Sequence, residues 1–165
     1  MLTDNGIYVG PIDGQAVELK RFDIQDGLGQ ILLRTAEIPV VWVSGRHSEA
    51  TLVRARELRV EEVLQVAGPR KLEAFGALLE RRGIAWEDAA FVGDDLADLQ
   101  VLRRVGLPFA VANAVEEVKG VAAYVTRAQG GHGAVREVVE VLLKARGLWA
   151  ELLERYFTEP ALRAV

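Results

Sequence analysis

The sequence predicts an α/β fold: a doubly wound parallel sheet covered by helices on both faces, with a β-hairpin at its N-terminal end. Three observations carry this expectation. Short apolar runs without alternation, such as Val40-Val41-Trp42-Val43, suit strands buried on both faces. Each such run is followed by a stretch with apolar residues at helical spacing, which is the pattern of βαβ units. The third is size. One chain of 165 residues, half of them apolar, can bury roughly 70% of its unfolded surface in a single core. We expect residues 1–165 to form one domain.

The elements follow in order. Gly6–Val9 and Ala16–Phe22 read as strands around the turn-rich Gly10-Pro11-Ile12-Asp13-Gly14, giving a hairpin over residues 6–22. Beyond Asp26-Gly27, the spacing of Leu28, Ile31, Leu32 and Thr35 is helical. Val40–Val43 is the first buried strand, ending at Ser44-Gly45-Arg46, and a helix spans about Ser48–Leu58. Val63–Val66 is a strand, and Lys71–Arg82 is a helix stopped by Gly83. Ala89–Val92 is a strand broken at Gly93-Asp94-Asp95, with a helix running on to about Val105. Phe109–Val111, Ala114–Lys119 and Tyr124–Thr126 read as strand, short helix and strand. Gly130-Gly131-His132-Gly133 leads into a helix over Ala134–Arg146. Leu148, Trp149, Leu152, Leu153, Tyr156 and Phe157 mark a helical tail over about 148–165.

Composition narrows the function. The chain has 24 acidic and 20 basic residues, a net charge of −4, which argues against a broad basic nucleic-acid face. No apolar run approaches the ~18 residues that cross a bilayer, and Met1–Gly6 lacks the basic start of a signal peptide. With no cysteine, disulfides, thiolate metal sites and cysteine nucleophiles are excluded. A cytoplasmic protein working on a small molecule is the expectation.

Ligands of such sheets lie at the carboxyl ends of the strands, and three of those ends carry chemistry. At Ser44-Gly45-Arg46, a hydroxyl, free helix-start amides and a guanidinium suit an oxyanion, although a plain helix cap uses the same residues. At Gly93-Asp94-Asp95-Leu96-Ala97-Asp98, adjacent carboxylates with a third one turn later call for a hard cation such as Mg²⁺. Capping accounts for only one of those three acids. Lys71 opens a helix, a position where a cation is disfavoured unless an anion lies nearby. His47 and His132 read as a solvated helix start and part of a glycine loop.

In that order, these motifs resemble the later motifs of the haloacid dehalogenase superfamily, in the capless branch of 3-deoxy-D-manno-octulosonate 8-phosphate (KDO 8-P) phosphatases. The resemblance runs from Leu2 to about Gly147, through Leu2–Tyr8, Phe22–Gly29, Ser44–Arg46, Val92–Asp98, Tyr124–Thr126 and Gly130–Val138. It implies a Rossmann-like sheet and Mg²⁺-dependent hydrolysis of a sugar-acid phosphate through an aspartyl-phosphate, on the way to lipopolysaccharide. It implies that Asp94 binds Mg²⁺ with Asp95 assisting, and that Ser44, Gly45 and Lys71 hold the phosphoryl group. Asp23, Asp26, Gly27, Arg46 and Arg54 fall where the family contacts its substrate. It also implies a homotetramer built on the hairpin.

The family's first motif, Asp-x-Asp-Gly, supplies the nucleophile and the general acid. Met1-Leu2-Thr3-Asp4 stands where the family continues beyond that motif, so both aspartates would lie upstream of residue 1. Ile12-Asp13-Gly14 and Asp23–Gly27 do not reproduce it. The expectation is a start upstream of Met1 for the natural protein and no aspartyl-phosphate in residues 1–165 alone. The alternative is a catalytically inactive relative that binds sugar phosphates or serves assembly. The missing strand would sit centrally, leaving the strands that end at Ser44 and Gly93 each without a neighbour. Ile31, where relatives carry a basic residue, and Ala67-Gly68-Pro69-Arg70 ahead of Lys71 weaken the assignment of the particular sugar.

Overall fold

The structure is a computed structural model and describes residues 1–159. It begins with an antiparallel hairpin, β1 (Tyr8–Ile12) and β2 (Gln15–Leu19), in which Ile12 pairs with Gln15 across Asp13-Gly14. Both turn residues have positive φ, 50° and 77°, as a two-residue hairpin turn with right-handed twist requires. The turn is therefore tighter than the expected five-residue linker, and Pro11 lies within β1.

The core alternates strand and helix. α1 (Ile24–Thr35) starts at Asp23, whose carboxylate accepts the Gln25 amide at 2.8 Å. β3 (Val41–Ser44) leads to α2 (Glu49–Glu57), capped by Ser48. β4 (Glu62–Gln65) precedes α3 (Lys71–Arg82), which closes on Gly83 in the left-handed region. β5 (Ala90–Gly93) is followed by a 3-10 turn, Leu96–Asp98, and a single turn of helix, α4 (Leu99–Leu102). The helix expected to run to about Val105 is instead a 3-10 turn, opened by a reciprocal capping box of Asp95 and Asp98, that continues into α4 and ends at Leu102. β6 (Leu107–Ala110), α5 (Glu116–Lys119), β7 (Tyr124–Val125), α6 (Ala134–Ala145) and α7 (Trp149–Thr158) complete the order. Of the expected tail, residues 160–165 lie outside the described residues.

All core pairings are parallel, as expected, but the sheet comes in two pieces: β3 with β4, and β5 with β6 and β7. The two pieces share a core. Val43 and Phe91 pack in one cluster with Phe75, Leu78 and Leu79 of α3. Trp42 points to the opposite face, with Ala55 and Leu58 beside α2, as strand alternation demands. α1, α6 and α7 share a further cluster through Leu32, Leu33, Val139, Leu143 and Leu152.

Candidate functional site

The carboxyl ends of β3 and β5, the start of α3 and residues 1–7 surround a cavity of about 250 Å³. Ser44, Gly45, Lys71 and Asp94, all expected to be functional, line it together with Asp98, Asn5, Lys20 and Thr51.

Lys71 and Asp98 form the inner wall. Lys71 Nζ lies 2.7 Å from Asp98 Oδ1, and the two residues are only 8% and 1% exposed. The other Asp98 oxygen accepts the backbone amides of Asp94 at 3.1 Å and Asp95 at 3.4 Å. Burial pushes the Asp98 carboxyl up, and the Lys71 ammonium opposes that rise. Asp98 therefore fixes both the lysine and the Asp94–Asp95 turn. Its close approach requires Gly93, where a Cβ would stand 2.8 Å from Asp98 Cβ. The sequence offered a signal for this residue, since Asp98 lies four positions beyond Asp94 and one turn brings it back to the strand end.

Asp94 faces the cavity from above. Burial alone would raise its carboxyl, but the Met1 α-ammonium, 2.6 Å from Oδ2, brings it below its ordinary value. A carboxylate at a strand end that lines a cavity suits one donor to a hard divalent cation. Among the described residues no three His, Cys, Asp or Glu side chains gather into a metal-holding group.

Ser44 Oγ donates to the Arg46 carbonyl at 2.8 Å and accepts the Arg46 amide at 3.2 Å, which shapes the strand-end turn. Gly45 packs beside Lys71, whose Cε would stand at an ordinary contact distance of 3.5 Å from a Cβ there. Met1 to Asp4 rest on the glycine loop. The Gly131 amide donates to the Met1 carbonyl at 2.8 Å, and a Cβ on Gly131, at φ +71°, would fall on the Asp4 amide.

Five expected substrate contacts lie away from the cavity lining, each held by other partners. Asp23 caps α1. Asp26 is 1% exposed, and its Oδ1 accepts the Arg136 amide at 2.8 Å, capping α6 from α1. Asp26, expected to meet substrate, thus lines no part of the cavity among the described residues. Gly27 is covered by Arg54, whose Nη2 would stand 2.7 Å from a Cβ there, and Arg54 itself pairs with Glu57 at 2.8 Å. Arg46 turns outward to Glu18 of β2, at 2.6 Å. Asp95, expected to assist the metal, is exposed and uses its carboxylate to cap Leu96 at 2.7 Å. Ile31, 3% exposed, belongs to the core and lines no part of the site.

Comparison with known proteins yields a consistent set. Residues 62–138 match the family of haloacid dehalogenase-like hydrolases. The 3-deoxy-D-manno-octulosonate 8-phosphate phosphatase KdsC of Escherichia coli K12 is 42% identical over 147 residues, spanning 89% of this chain and 76% of that protein. The crystal structure of the Moraxella catarrhalis phosphatase of the same name, in complex with magnesium, phosphate and KDO, superimposes with a TM-score of 0.87. It is 35% identical and covers 93% of this chain and 87% of that one. The cobalt-bound phosphatase YrbI of Haemophilus influenzae gives a TM-score of 0.80 at 34% identity, covering 88% and 80%.

Proposed function

The chain belongs to the 3-deoxy-D-manno-octulosonate 8-phosphate phosphatases, haloacid dehalogenase-like hydrolases, and from that premise we propose how its own residues serve Mg²⁺-dependent hydrolysis of a sugar-acid phosphate. The observation that carries the reading is the cavity where Ser44, Gly45, Lys71 and Asp94 meet at two strand ends. Ser44 Oγ and the Gly45 backbone hold phosphoryl oxygens, and Lys71 neutralises them from a position fixed by Asp98. Asp94 holds the cation, which when bound offsets the phosphoryl charge. The Lys71–Asp98 pair keeps the site's electrostatics preorganised, because neither group must leave water when substrate arrives.

The attacking carboxylate and the acid of the family's first motif have no counterpart in residues 1–159. What this chain supplies is phosphate binding, the cation carboxylate and substrate orientation. The homotetramer belongs to the same reading, and the exposed apolar hairpin supports it: Tyr8, Ile12 and Leu19 are 58%, 53% and 57% exposed. A cytoplasmic location is proposed on family grounds. No helix among the described residues is long and apolar enough to cross a membrane.

The test is phosphate release with Mg²⁺ from a panel of sugar-acid phosphates. The 165-residue chain is run beside a version extended at its N-terminus by an apolar strand ending in Asp-x-Asp-Gly. Release by the extended protein alone is the expected result. Turnover by neither version would favour a sugar-phosphate-binding relative, and turnover by the short chain would require a different nucleophile.

A further inference from the structure

Glu18 stands at the junction between the hairpin and the strand-end turn. Its Oε2 takes two hydrogen bonds from Arg46, Nη2 at 2.6 Å and Nε at 3.1 Å. Its Oε1 accepts the Ser48 hydroxyl at 2.6 Å and lies 3.6 Å from Lys20 Nζ. Ser48 is 4% exposed and caps α2, so the carboxylate is tied to a fixed point of the core. Lys20 in turn donates to Thr51 at 3.2 Å, and both line the cavity. One carboxylate therefore organises two cations, one lining the cavity and one beside its strand-end turn, and a positive charge is left over.

A surface ion pair of this kind adds little to stability, so its consequence belongs to ligand binding. The guanidinium is half-exposed and would otherwise sample many rotamers, each of which a ligand must select against. Arg46 Nη1 makes no hydrogen bond among the described residues and remains available. The site thus offers two cationic regions, Lys71 on the inner wall of the cavity and, around Glu18, Lys20 on its lining with Arg46 just outside it. That arrangement matches a ligand with an anion at each end.

We propose that Glu18 is a positioning residue that holds Arg46 and Lys20 to receive the carboxylate of a sugar-acid phosphate whose phosphoryl group lies at Ser44 and Lys71. The proposal rests on the phosphatase reading and adds to it the element that selects acidic sugars.

The experiment is calorimetric binding to the full chain of two separate probes, the sugar acid 3-deoxy-D-manno-octulosonate and inorganic phosphate, for wild type, Glu18→Ala, Glu18→Gln, Arg46→Ala and the Glu18→Ala/Arg46→Ala double variant. Glu18→Ala should weaken the sugar acid about tenfold, the scale of one charge-assisted hydrogen bond, and leave inorganic phosphate within about twofold. Glu18→Gln keeps an acceptor for Ser48 and should fall between, which also covers failure of the alanine variant to fold. The double variant should be weakened by less than the product of the two single effects, because Glu18 acts through Arg46 and, for the remainder, through Lys20. Equal weakening of both probes, or none, overturns the proposal while leaving the phosphatase reading intact. Wild type that binds phosphate but no sugar acid overturns the proposal with the substrate assignment. Wild type that binds neither overturns the reading of the site itself.

Discussion

Asp26 shows how far a residue's role depends on what packs over it. In the sequence it is an acid beside a glycine in a stretch that the family resemblance assigns to substrate. In the structure α6 lies across α1, and Asp26 becomes a cap for a helix more than a hundred residues away. Its Oδ2 has no hydrogen-bond partner among the described residues. Burial raises its carboxyl above the ordinary 3.8, the charge of Asp23 adds to that, and the Arg136 amide opposes both. An acid raised in this way favours folding most while protonated. Its contribution is complete below 3.8 and is lost as pH climbs through the folded value. Relative to Asp26→Asn, wild type should therefore lose unfolding free energy between about pH 3.5 and pH 7, measured by urea denaturation at each pH. Parallel curves for the two proteins would show that the carboxyl is not held above its ordinary value. The local pattern was enough to place Ser44 and Asp94 at strand ends and Lys71 at the start of α3, all three beside the cavity. Asp26, Gly27 and Arg54 were not legible in this way, because their surroundings are set by α6 and by each other across long sequence distances.

The hairpin illustrates the same division at the scale of an element. Two strands around a Gly-rich turn were readable, yet the pairing depends on which two residues adopt positive φ, and Asp13-Gly14 settles it. The register then sorts the side chains. Tyr8 pairs with Leu19 and Ile12 with Gln15, on one face, while Val9 pairs with Glu18 on the other. The Glu18 face turns to Arg46 and Ser48, so the apolar Tyr8–Ile12–Leu19 face is left exposed. An isolated two-stranded ribbon is only marginally stable in water, and an exposed apolar face on one is expected to be covered by another copy. If the proposed tetramer forms through this face, a Tyr8→Asp/Leu19→Asp variant should run as a monomer by light scattering and wild type as a tetramer. An unchanged mass would remove the hairpin from the assembly. The change should spare the core, since neither side chain belongs to a buried cluster.

For the whole molecule the controlling feature is the divided sheet. In β3 the carbonyl of Ser44 accepts the Val66 amide, and those of Ala89, just ahead of β5, and of Gly93 in β5 accept the Leu107 and Val111 amides. Parallel ladders alternate, so Trp42 and Ser44 face β4, and Phe91 and Gly93 face β6. Val41 and Val43 on β3, and Ala90 and Val92 on β5, turn their amides and carbonyls to the opposite edges, where no strand pairs with them. The sequence foretold this arrangement, because the resemblance placed a strand between those ending at Ser44 and Gly93. What it could not foretell is that α3 would hold the halves together, through Phe75, Leu78 and Leu79 against Val43 and Phe91. Packing without a hydrogen-bonded ladder leaves edge amides open to solvent, and exchange reports it directly. The Val43 and Val92 amides should exchange at least about tenfold faster than those of Trp42 and Phe91, their neighbours on the paired sides. In a protein carrying an apolar strand ahead of Met1, the Val43 and Val92 amides should slow to match while Trp42 and Phe91 change little. Slow exchange at Val43 and Val92 in the 165-residue chain itself would mean that the two edges close on each other in solution. The cavity at their ends would then be smaller than the 250 Å³ seen here, and too narrow for a phosphoryl group between Ser44 and Asp94.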